Sequence, residues 1–398
     1  MGRSTKYVKS SIRNDNLLCT LIKLILFYMK KFFTTQVNHL FETYKIVANK
    51  ARQVCLYQAV LGIIKSRNVQ LPAIADAIKL EGDSIQTKSI IHRLEDFFRE
   101  TNLDYQALAL LLISCLGKGK IRLCIDRTEW DFGKCQVNIL MITASTGARQ
   151  VPLYWELLDN KSGNSNASDR IDVLKKVIDL VGVKRIGIVI GDREFIGHQW
   201  LKYLKDNGIH FCMRVPKHHL IERFDGRKQN IENLASHKPI YLQNCQVDGV
   251  WVNVYLKKIK DEDYLFLIGT IKEPKYLGQI YRKRWTIEVM FQSFKGRGFN
   301  LKTTHIKALY KLKKLVGLVS IAFAMCISLG IYRHEKVQKI KVKKHGYKEK
   351  SFCRAGIDWI KDTLKKSVEE FENITDRFFR YLIICKLKYK LNCSLSST

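Results

Sequence analysis

RIGIVIGD, residues 185–192, is the stretch that decides the fold. This β-branched, apolar run ends at Asp192 and lies between two segments with helical spacing, at about 169–181 and 197–207. Three strands in succession, followed by alternating helix and strand, predict a mixed sheet with helices on its faces, in the order of an RNase H-like core. The other predicted strands of this sheet are residues 121–126, 135–145, 150–158 and 210–215.

The region before this sheet is predicted to be helical. Residues 72–79 and 85–99 could form a helix-turn-helix-like DNA reader, with Ser84 as the cap of the second helix. A plain helical bundle with a solvated basic face is the alternative. The basic face of the second helix carries Lys88, His92 and Arg93.

The region after the fifth strand begins with a β-rich insertion. Strand-like segments occur at 250–258 and 264–270, a helix is predicted at about 275–295, and a more apolar helix at about 307–332. Two more helices are predicted near 357–390. The tail beyond Arg333 is basic and opens with Lys336, Lys339, Lys341, Lys343 and Lys344.

The chain of 398 residues is longer than one hydrophobic core usually serves. We predict an all-α N-terminal DNA-binding domain, a catalytic core in two parts separated by the β-rich insertion, and a basic helical C-terminal region. In chain order, these parts are residues 1–118, 119–217, 218–275, 276–335 and 336–398.

The composition points to a polyanionic partner. Against 37 Asp and Glu, the chain has 69 Lys and Arg, which gives a formal charge of +32. Nucleic acid is the favoured partner, and an anionic membrane surface is the competing one. The 11 cysteines are scattered without zinc-like spacing, so reduced, mostly buried thiols are expected.

Two apolar stretches need a decision about membranes. Lysines interrupt residues 17–33 and no small-residue cleavage site follows, so a signal peptide is not expected. Residues 315–332 are about long enough to cross a bilayer, but a buried helix explains them equally well. Nothing else in the chain is membrane-like, and we predict no membrane association.

Two of the predicted strands end in an aspartate followed by an arginine. Asp126 ends the first strand and Asp192 the fourth. An aspartate at a strand end is common in turns, and either one alone would indicate little. However, these two strands are adjacent in an RNase H-like topology, where both carboxylates would be close enough to share a cation.

The helix predicted at 275–295 carries a polar stripe. Tyr281, Arg284, Glu288 and Lys295 fall within one arc of about 60° on a helical wheel. An ordinary salt bridge between Arg284 and Glu288 is the simpler explanation, but it leaves Tyr281 and Lys295 unexplained. The neighbouring arc is apolar and would bury that side of the helix against the sheet: Ile280, Ile287, Met290, Phe291 and Phe294.

This pattern, Tyr281-x2-Arg284-x3-Glu288-x6-Lys295, resembles the YREK signature of the DDE transposases in the insertion-sequence four group, which includes the Tn-five and Tn-ten enzymes. The segments CIDRTEW, residues 124–130, and GDREFIG, residues 191–197, resemble that group's two aspartate motifs. The resemblance covers about residues 40–335.

The resemblance implies a transposase of a bacterial insertion sequence with a two-metal site. Asp126 would bind both Mg²⁺ or Mn²⁺ ions, with Asp192 on one and Glu288 on the other. The enzyme would cleave double-stranded DNA at the transposon end and transfer the resulting 3′-hydroxyl to target DNA, with a DNA hairpin as the intermediate. By the same resemblance, the phosphates near the cut would be gripped by Tyr281, Arg284 and Lys295.

The resemblance also implies a homodimer that joins two DNA ends, in the bacterial cytoplasm and associated with the nucleoid. Two alternatives remain open: an RNase H-like nuclease without strand transfer, and a catalytically silent DNA-binding protein derived from a transposase. Trp285 lies near the polar stripe and could stack on an extruded base, with packing in the core as the equal alternative.

Several neighbouring residues are interpreted as secondary. Glu129, Asp131 and Glu194 are expected in loops beyond the strand ends. His218 and His219 are not expected to form a metal pair, because adjacent strand residues point to opposite faces. Ser165 and Asn166 could contact DNA, but a solvated loop is the favoured interpretation.

Overall fold

The computed structural model describes residues 45–79, 85–117, 119–132, 135–158, 165–260, 263–344 and 346–364. Three predicted features lie outside these residues or extend beyond them: the stretch at 17–33, the cap at Ser84 and the helical tail beyond residue 364.

Four helices precede the sheet, as the apolar spacing of this region predicts. Asn49 and Asp104 cap the first and fourth of them, each through a side-chain oxygen that accepts from backbone N–H groups of the first turn. Lys88, His92 and Arg93 are exposed on the third helix. A DNA-binding role for that face remains a prediction. The four helices are α1 Lys50–Ser66, α2 Leu71–Ile78, α3 Thr87–Glu100 and α4 Tyr105–Ser114.

A large mixed sheet forms the centre of the molecule. It has ten strands in the order β3-β2-β1-β4-β5-β10-β9-β8-β6-β7. The strands are β1 Ile121–Phe132, β2 Cys135–Thr146, β3 Arg149–Leu158, β4 Ile186–Gly191, β5 Phe211–Arg214, β6 Leu220–Glu222, β7 Lys228–Asn230, β8 Ile240–Val247, β9 Val250–Lys260 and β10 Asp263–Gly269.

The pairing of β1 with β4 positions the candidate site. The two strands are parallel neighbours, with Cys124 opposite Ile190. Two residues further along each strand are Asp126 and Asp192. The predicted adjacency of the first and fourth strands is therefore confirmed.

Strand β1 is longer than expected. It pairs with β2 in an antiparallel register up to Phe132, with Glu129 opposite Asn138. Glu129 and Asp131 therefore lie within the strand, and their predicted place in a loop is wrong. The continuous pairing with β2 extends β1 beyond the aspartate that was expected to end it.

The segment 218–275 is β-rich, as predicted, but its strands extend the central sheet. Strand β10 pairs with β5 in an antiparallel register, from Gly269 opposite Cys212 to Leu267 opposite Arg214. Strands β9, β8, β6 and β7 follow outward from β10. Helices α5 Ala167–Val181 and α6 His198–Asp206 connect the strands of the core.

The predicted helix at 275–295 is interrupted. It consists of α7 Leu277–Tyr281, a 3₁₀ turn over Arg282–Arg284, α8 Trp285–Gln292 and a π-helical turn over Ser293–Arg297. The tighter and wider turns change the angle per residue, so a regular helical wheel does not hold along the whole segment.

The apolar run near residue 315 forms one long helix, α9 Leu309–Tyr332. By length and composition alone it qualifies as a membrane-span candidate, but 94% of its most apolar window is buried within the protein. Trp155 of β3 donates its indole N–H to the backbone oxygen of Lys313, 3.3 Å away. These contacts match the buried-helix interpretation.

Helix α10 Phe352–Leu364 packs unusually close to α9. A Cβ added to Gly330 would lie 1.8 Å from the backbone oxygen of Phe352, and one added to Gly356 would lie 1.8 Å from that of Cys326. Only glycine allows the two backbones to approach this closely.

The predicted helical character of residues 336–398 does not hold for their first part. The segment 338–350 forms a short antiparallel hairpin, with the isolated bridge between Val342 and Lys348. One continuous cluster of buried side chains extends from Ile46 to Ile360. The predicted five-part division of the chain remains a prediction.

Candidate active site

Asp126 is the most buried of the three predicted acids. Its side chain is 17% exposed, and one carboxylate oxygen accepts from the backbone N–H of Arg127 at 2.9 Å. Burial raises the pKa of the Asp126 carboxyl to about 6, against the opposing effect of Arg284. The group is therefore costly to keep charged unless a cation is close to it.

Asp192 follows the end of β4. Tyr281 donates its hydroxyl to one Asp192 oxygen at 3.0 Å, and the backbone N–H of Arg193 donates to the same oxygen at 2.9 Å. Burial raises the pKa of Tyr281, so the phenol keeps its proton and remains a donor to Asp192.

Arg284 joins the three predicted acids. Its guanidinium lies 3.2 Å from an oxygen of Asp126 and 3.8 Å from an oxygen of Asp192, and it forms a very close ion pair with Glu288 one turn along the chain. The salt bridge between Arg284 and Glu288 therefore exists, as one part of a larger cluster.

The charge of Arg284 is secured by this environment. Burial opposes the charged form, but the three carboxylates outweigh it, and the pKa of Arg284 is raised. The guanidinium is 12% exposed, and its Nε is buried with no hydrogen-bond partner among the described residues. One positive charge thus faces three negative ones at the edge of the sheet.

The donor set suits a hard divalent cation. Carboxylate oxygens are the ligands that Mg²⁺ and Mn²⁺ prefer, and three of them already surround a single positive charge. Within the described ranges, however, no three His, Cys, Asp or Glu side chains are arranged as a metal site. In the structure, the cation that lies among the three acids is the guanidinium of Arg284.

Lys295, the last residue of the predicted stripe, lies apart from the acids. Its ammonium donates to the backbone oxygen of Glu129 at 3.3 Å and lies 5.8 Å from the centre of the Trp130 ring. Lys295 is in the π-helical turn, beyond the interruption in the helix. Tyr281, Arg284 and Glu288 are brought together, and Lys295 contacts a later part of β1.

Trp285 is 60% exposed. Packing in the core, the alternative use of this side chain, is therefore wrong. The indole is accessible beside Arg284, and base stacking remains a prediction.

Sequence reasoning missed a polar network that connects the two aspartate segments. Arg127 donates through Nε to Glu194 at 3.0 Å and through Nη1 to Asn138 at 2.9 Å, and it also pairs with Glu129. Each aspartate thus has a member of one ion pair nearby: Arg127 directly after Asp126, and Glu194 two residues after Asp192.

The network continues into the start of helix α5. Glu194 accepts from the backbone N–H of Ser165 at 3.0 Å and from its hydroxyl at 2.7 Å. Arg170 donates to the same hydroxyl at 2.9 Å. Ser165 is buried, so its predicted place in a solvated loop is wrong, and Asn166 caps α5. In the sequence, only the Asp-Arg pair that the two segments share hinted at this network.

The two adjacent histidines have separate partners. His218 contacts Glu232, and His219 lies 3.0 Å from an oxygen of Asp248. His218 lies in a turn and His219 just before β6, so the strand alternation assumed for them does not apply.

A family model described as a transposase DDE domain matches residues 118–325, slightly more than half of the chain. The matched region includes every strand of the central sheet, the three acids and Arg284. A comparison with curated proteins gives no match.

Proposed function

Because the chain belongs to the family defined by the transposase DDE domain, we propose that it is the transposase of a bacterial insertion sequence. It would bind the ends of the element, cleave them by two-metal phosphodiester hydrolysis and transfer the 3′-hydroxyl ends to target DNA. We further place it in the insertion-sequence four group with the YREK signature, and propose an RNase H-like core built on β1 to β5.

The cluster around Arg284 is the observation that supports this proposal most directly. Asp126 lies within β1, Asp192 directly follows β4 and Glu288 lies in α8. They are far apart in sequence, yet all three contact one guanidinium. A structural salt bridge needs one acid, whereas three acids around one cation leave a net negative charge. Such a site is suited to cations of higher charge.

Asp126, Asp192 and Glu288 would hold two Mg²⁺ or Mn²⁺ ions, with Asp126 shared between them as the resemblance implies. When bound, the two ions supply a charge clamp on the attacking and leaving oxygens of an in-line displacement. Arg284 would then exchange its carboxylate partners for a phosphate oxygen of DNA, which a planar guanidinium binds well.

The remaining stripe residues would position the DNA. Tyr281 and Lys295 would contact phosphates near the cleaved end, and exposed Trp285 would stack on an extruded base. We propose a DNA hairpin as the intermediate of cut-and-paste transposition. We also propose a homodimer that joins two ends in the cytoplasm, in association with the nucleoid.

Cleavage of a labelled transposon-end duplex in Mg²⁺ tests the proposal. We expect the native chain to cleave at the end, and Asp126→Asn to reduce cleavage to the uncatalysed background. Asp179→Asn, an exposed aspartate on α5, is the matched control and should cleave like the native chain. Equal cleavage by the native chain and Asp126→Asn would end the proposal.

The fate of the 3′-hydroxyl separates the candidate functions. Joined products with an unlabelled target duplex are expected from a transposase. Cleavage without joining would instead indicate an RNase H-like nuclease. DNA binding with neither cleavage nor joining would indicate a silent derivative.

A further inference from the structure

A basic hairpin follows helix α9. It consists of residues 338–350, apart from position 345, which lies outside the described residues. The backbone N–H of Lys343 donates to Tyr347 at 2.8 Å, and that of Glu349 donates to Lys341 at 2.8 Å. The backbone N–H of Ile340 donates to the ring Nδ1 of His334 at 2.8 Å, which attaches the hairpin to the end of α9.

The hairpin concentrates positive charge that carboxylates of the described residues neutralise only in part. It contains six lysines and one glutamate. Lys350 pairs with Asp358 at 2.7 Å. All six lysines are exposed. Four of them form no ion pair with a described carboxylate: Lys339, Lys341, Lys343 and Lys344.

The fold holds these charges close together. Alternate residues of an extended arm lie on the same side, about 6.6 Å apart, so Lys341 and Lys343 are neighbours. This separation is shorter than the Debye length of about 8 Å at physiological ionic strength. The repulsion is relieved when an anion with regularly spaced charges lies against the arm.

We propose that the basic hairpin is a surface that binds the phosphate backbone of duplex DNA without regard to sequence, an inference that rests on the proposed function. The regular row of lysines matches a partner whose charges also repeat along a line. Tyr347 is 75% exposed opposite Lys343 and can contact the sugar face of the same strand. The hairpin lies outside the family-model match.

Salt-dependent binding tests the hairpin in the full chain. The test variant replaces Lys339, Lys341, Lys343 and Lys344 with glutamine. The matched control replaces four exposed lysines elsewhere with glutamine, which changes the net charge equally: Lys175, Lys184, Lys238 and Lys272. Dissociation constants for a duplex of unrelated sequence are measured between 50 and 200 mM salt.

We expect the hairpin variant to bind at least about tenfold more weakly at low salt than the control variant. Its slope of log K against log salt should be smaller by about 0.9 for each phosphate that a lysine no longer neutralises. Arginine at the same four positions should restore binding, since the charge is kept. Equal slopes for the hairpin and control variants would overturn the proposal.

Two further arms identify the partner and separate this inference from the proposed function. If the hairpin variant loses binding to phosphatidylserine vesicles but still binds DNA like the native chain, the proposal is overturned in favour of a lipid surface. If the native chain binds DNA and cleaves transposon ends, and the hairpin variant binds DNA as tightly as the native chain, only the hairpin inference fails. If the native chain binds no duplex DNA, both the hairpin inference and the proposed function fail.

Discussion

Arg284 has two incompatible sets of partners. In the structure it balances Asp126, Asp192 and Glu288, and in the proposed reaction it would contact phosphate while those acids hold cations. Arginine and divalent ions therefore compete for the same carboxylates. This competition makes the side chain a sensitive probe of the site.

Removing the guanidinium should change stability in a cation-dependent way. Arg284→Gln leaves three carboxylates without a counter-charge, so we expect it to destabilise the protein by about 2 kcal/mol without divalent ions. Mg²⁺ should then raise the melting temperature of the variant more than that of the native chain, as thermal unfolding with and without Mg²⁺ will show. Arg193→Gln, at an exposed arginine, is the control. An equal Mg²⁺ response in Arg284→Gln and the native chain would contradict the competition.

Glu194 should act as a positioning residue through Arg127. Glu194→Gln removes the charge that fixes Arg127 and the start of α5, so end cleavage should fall by about 10- to 100-fold, with a higher Mg²⁺ concentration needed for half-maximal rate. Glu232→Gln, which alters an ion pair in the insertion, should leave that concentration unchanged. A lower rate at an unchanged Mg²⁺ requirement would count against positioning.

The sequence contains the acids of the site but not their supporting contacts. Asp126, Asp192 and Glu288 could be selected because each has a local signature, a strand end or a helical stripe. The contacts of Arg127 with Glu194, and of Ser165 with Arg170, depend on side-chain positions that no periodicity encodes. The placement of Lys295 could not be predicted, because it depends on a π-helical turn.

Among the elements, strands were easier to predict than helix geometry. The run at 185–192 and its neighbours alternate or cluster apolar residues strongly enough to predict β2 to β5 to within about one residue at each end, and the start but not the end of β1. The 3₁₀ and π turns around α8 have no comparable signal, since tertiary packing selects them. The hairpin at 338–350 was hidden by its lysines, which suit a helix as well as a strand.

The turn between β8 and β9 provides a pH-dependent test. Asp248 and Gly249 both have positive φ, of 50° and 71°, as in a two-residue hairpin turn. The hydrogen bond from His219 is the largest cause that lowers the pKa of Asp248. A lowered pKa means that ionised Asp248 stabilises the fold above its unfolded value of about 3.9, and that this contribution is lost as the pH falls through the folded value.

We therefore expect Asp248→Asn, which tolerates positive φ, to be about 1 kcal/mol less stable than the native chain at pH 5. The difference should shrink as the pH falls below about 3.9 and vanish below the lowered pKa of the folded carboxyl. Urea unfolding at pH 5 and at a series of lower pH values measures it. A constant difference would show that charge on Asp248 plays no part.

At the scale of the whole molecule, α9 is the helix that contacts the central sheet, the N-terminal helices and α10. It contacts β3 through Trp155, the N-terminal helices at Gly317, and α10 at Gly330. Its apolar surface is covered by protein on all of these sides, which explains why a sequence window alone resembles a membrane span.

The glycine contacts between α9 and α10 should be far less tolerant than the other contacts of α9. Gly356→Ala places a methyl group against backbone atoms, so we expect a loss of about 3 kcal/mol or more in the free energy of unfolding. Gly317→Ala meets a flexible leucine side chain at 3.1 Å and should cost less than about 1 kcal/mol. Chemical denaturation compares the two. Similar losses in the free energy of unfolding for the two variants would mean that α9 and α10 can move apart at little cost.

The close seating of α10 on α9 has a consequence for damaged copies of the gene. A premature stop codon between residues 338 and 351 would leave every proposed catalytic side chain in the product, yet it would strip α10 from the glycine-lined flank of α9. Apolar surface would then face water in a chain that still carries its acids. Such a product would aggregate or be degraded, so the segment that encodes α10 is as necessary as the part that encodes the chemistry.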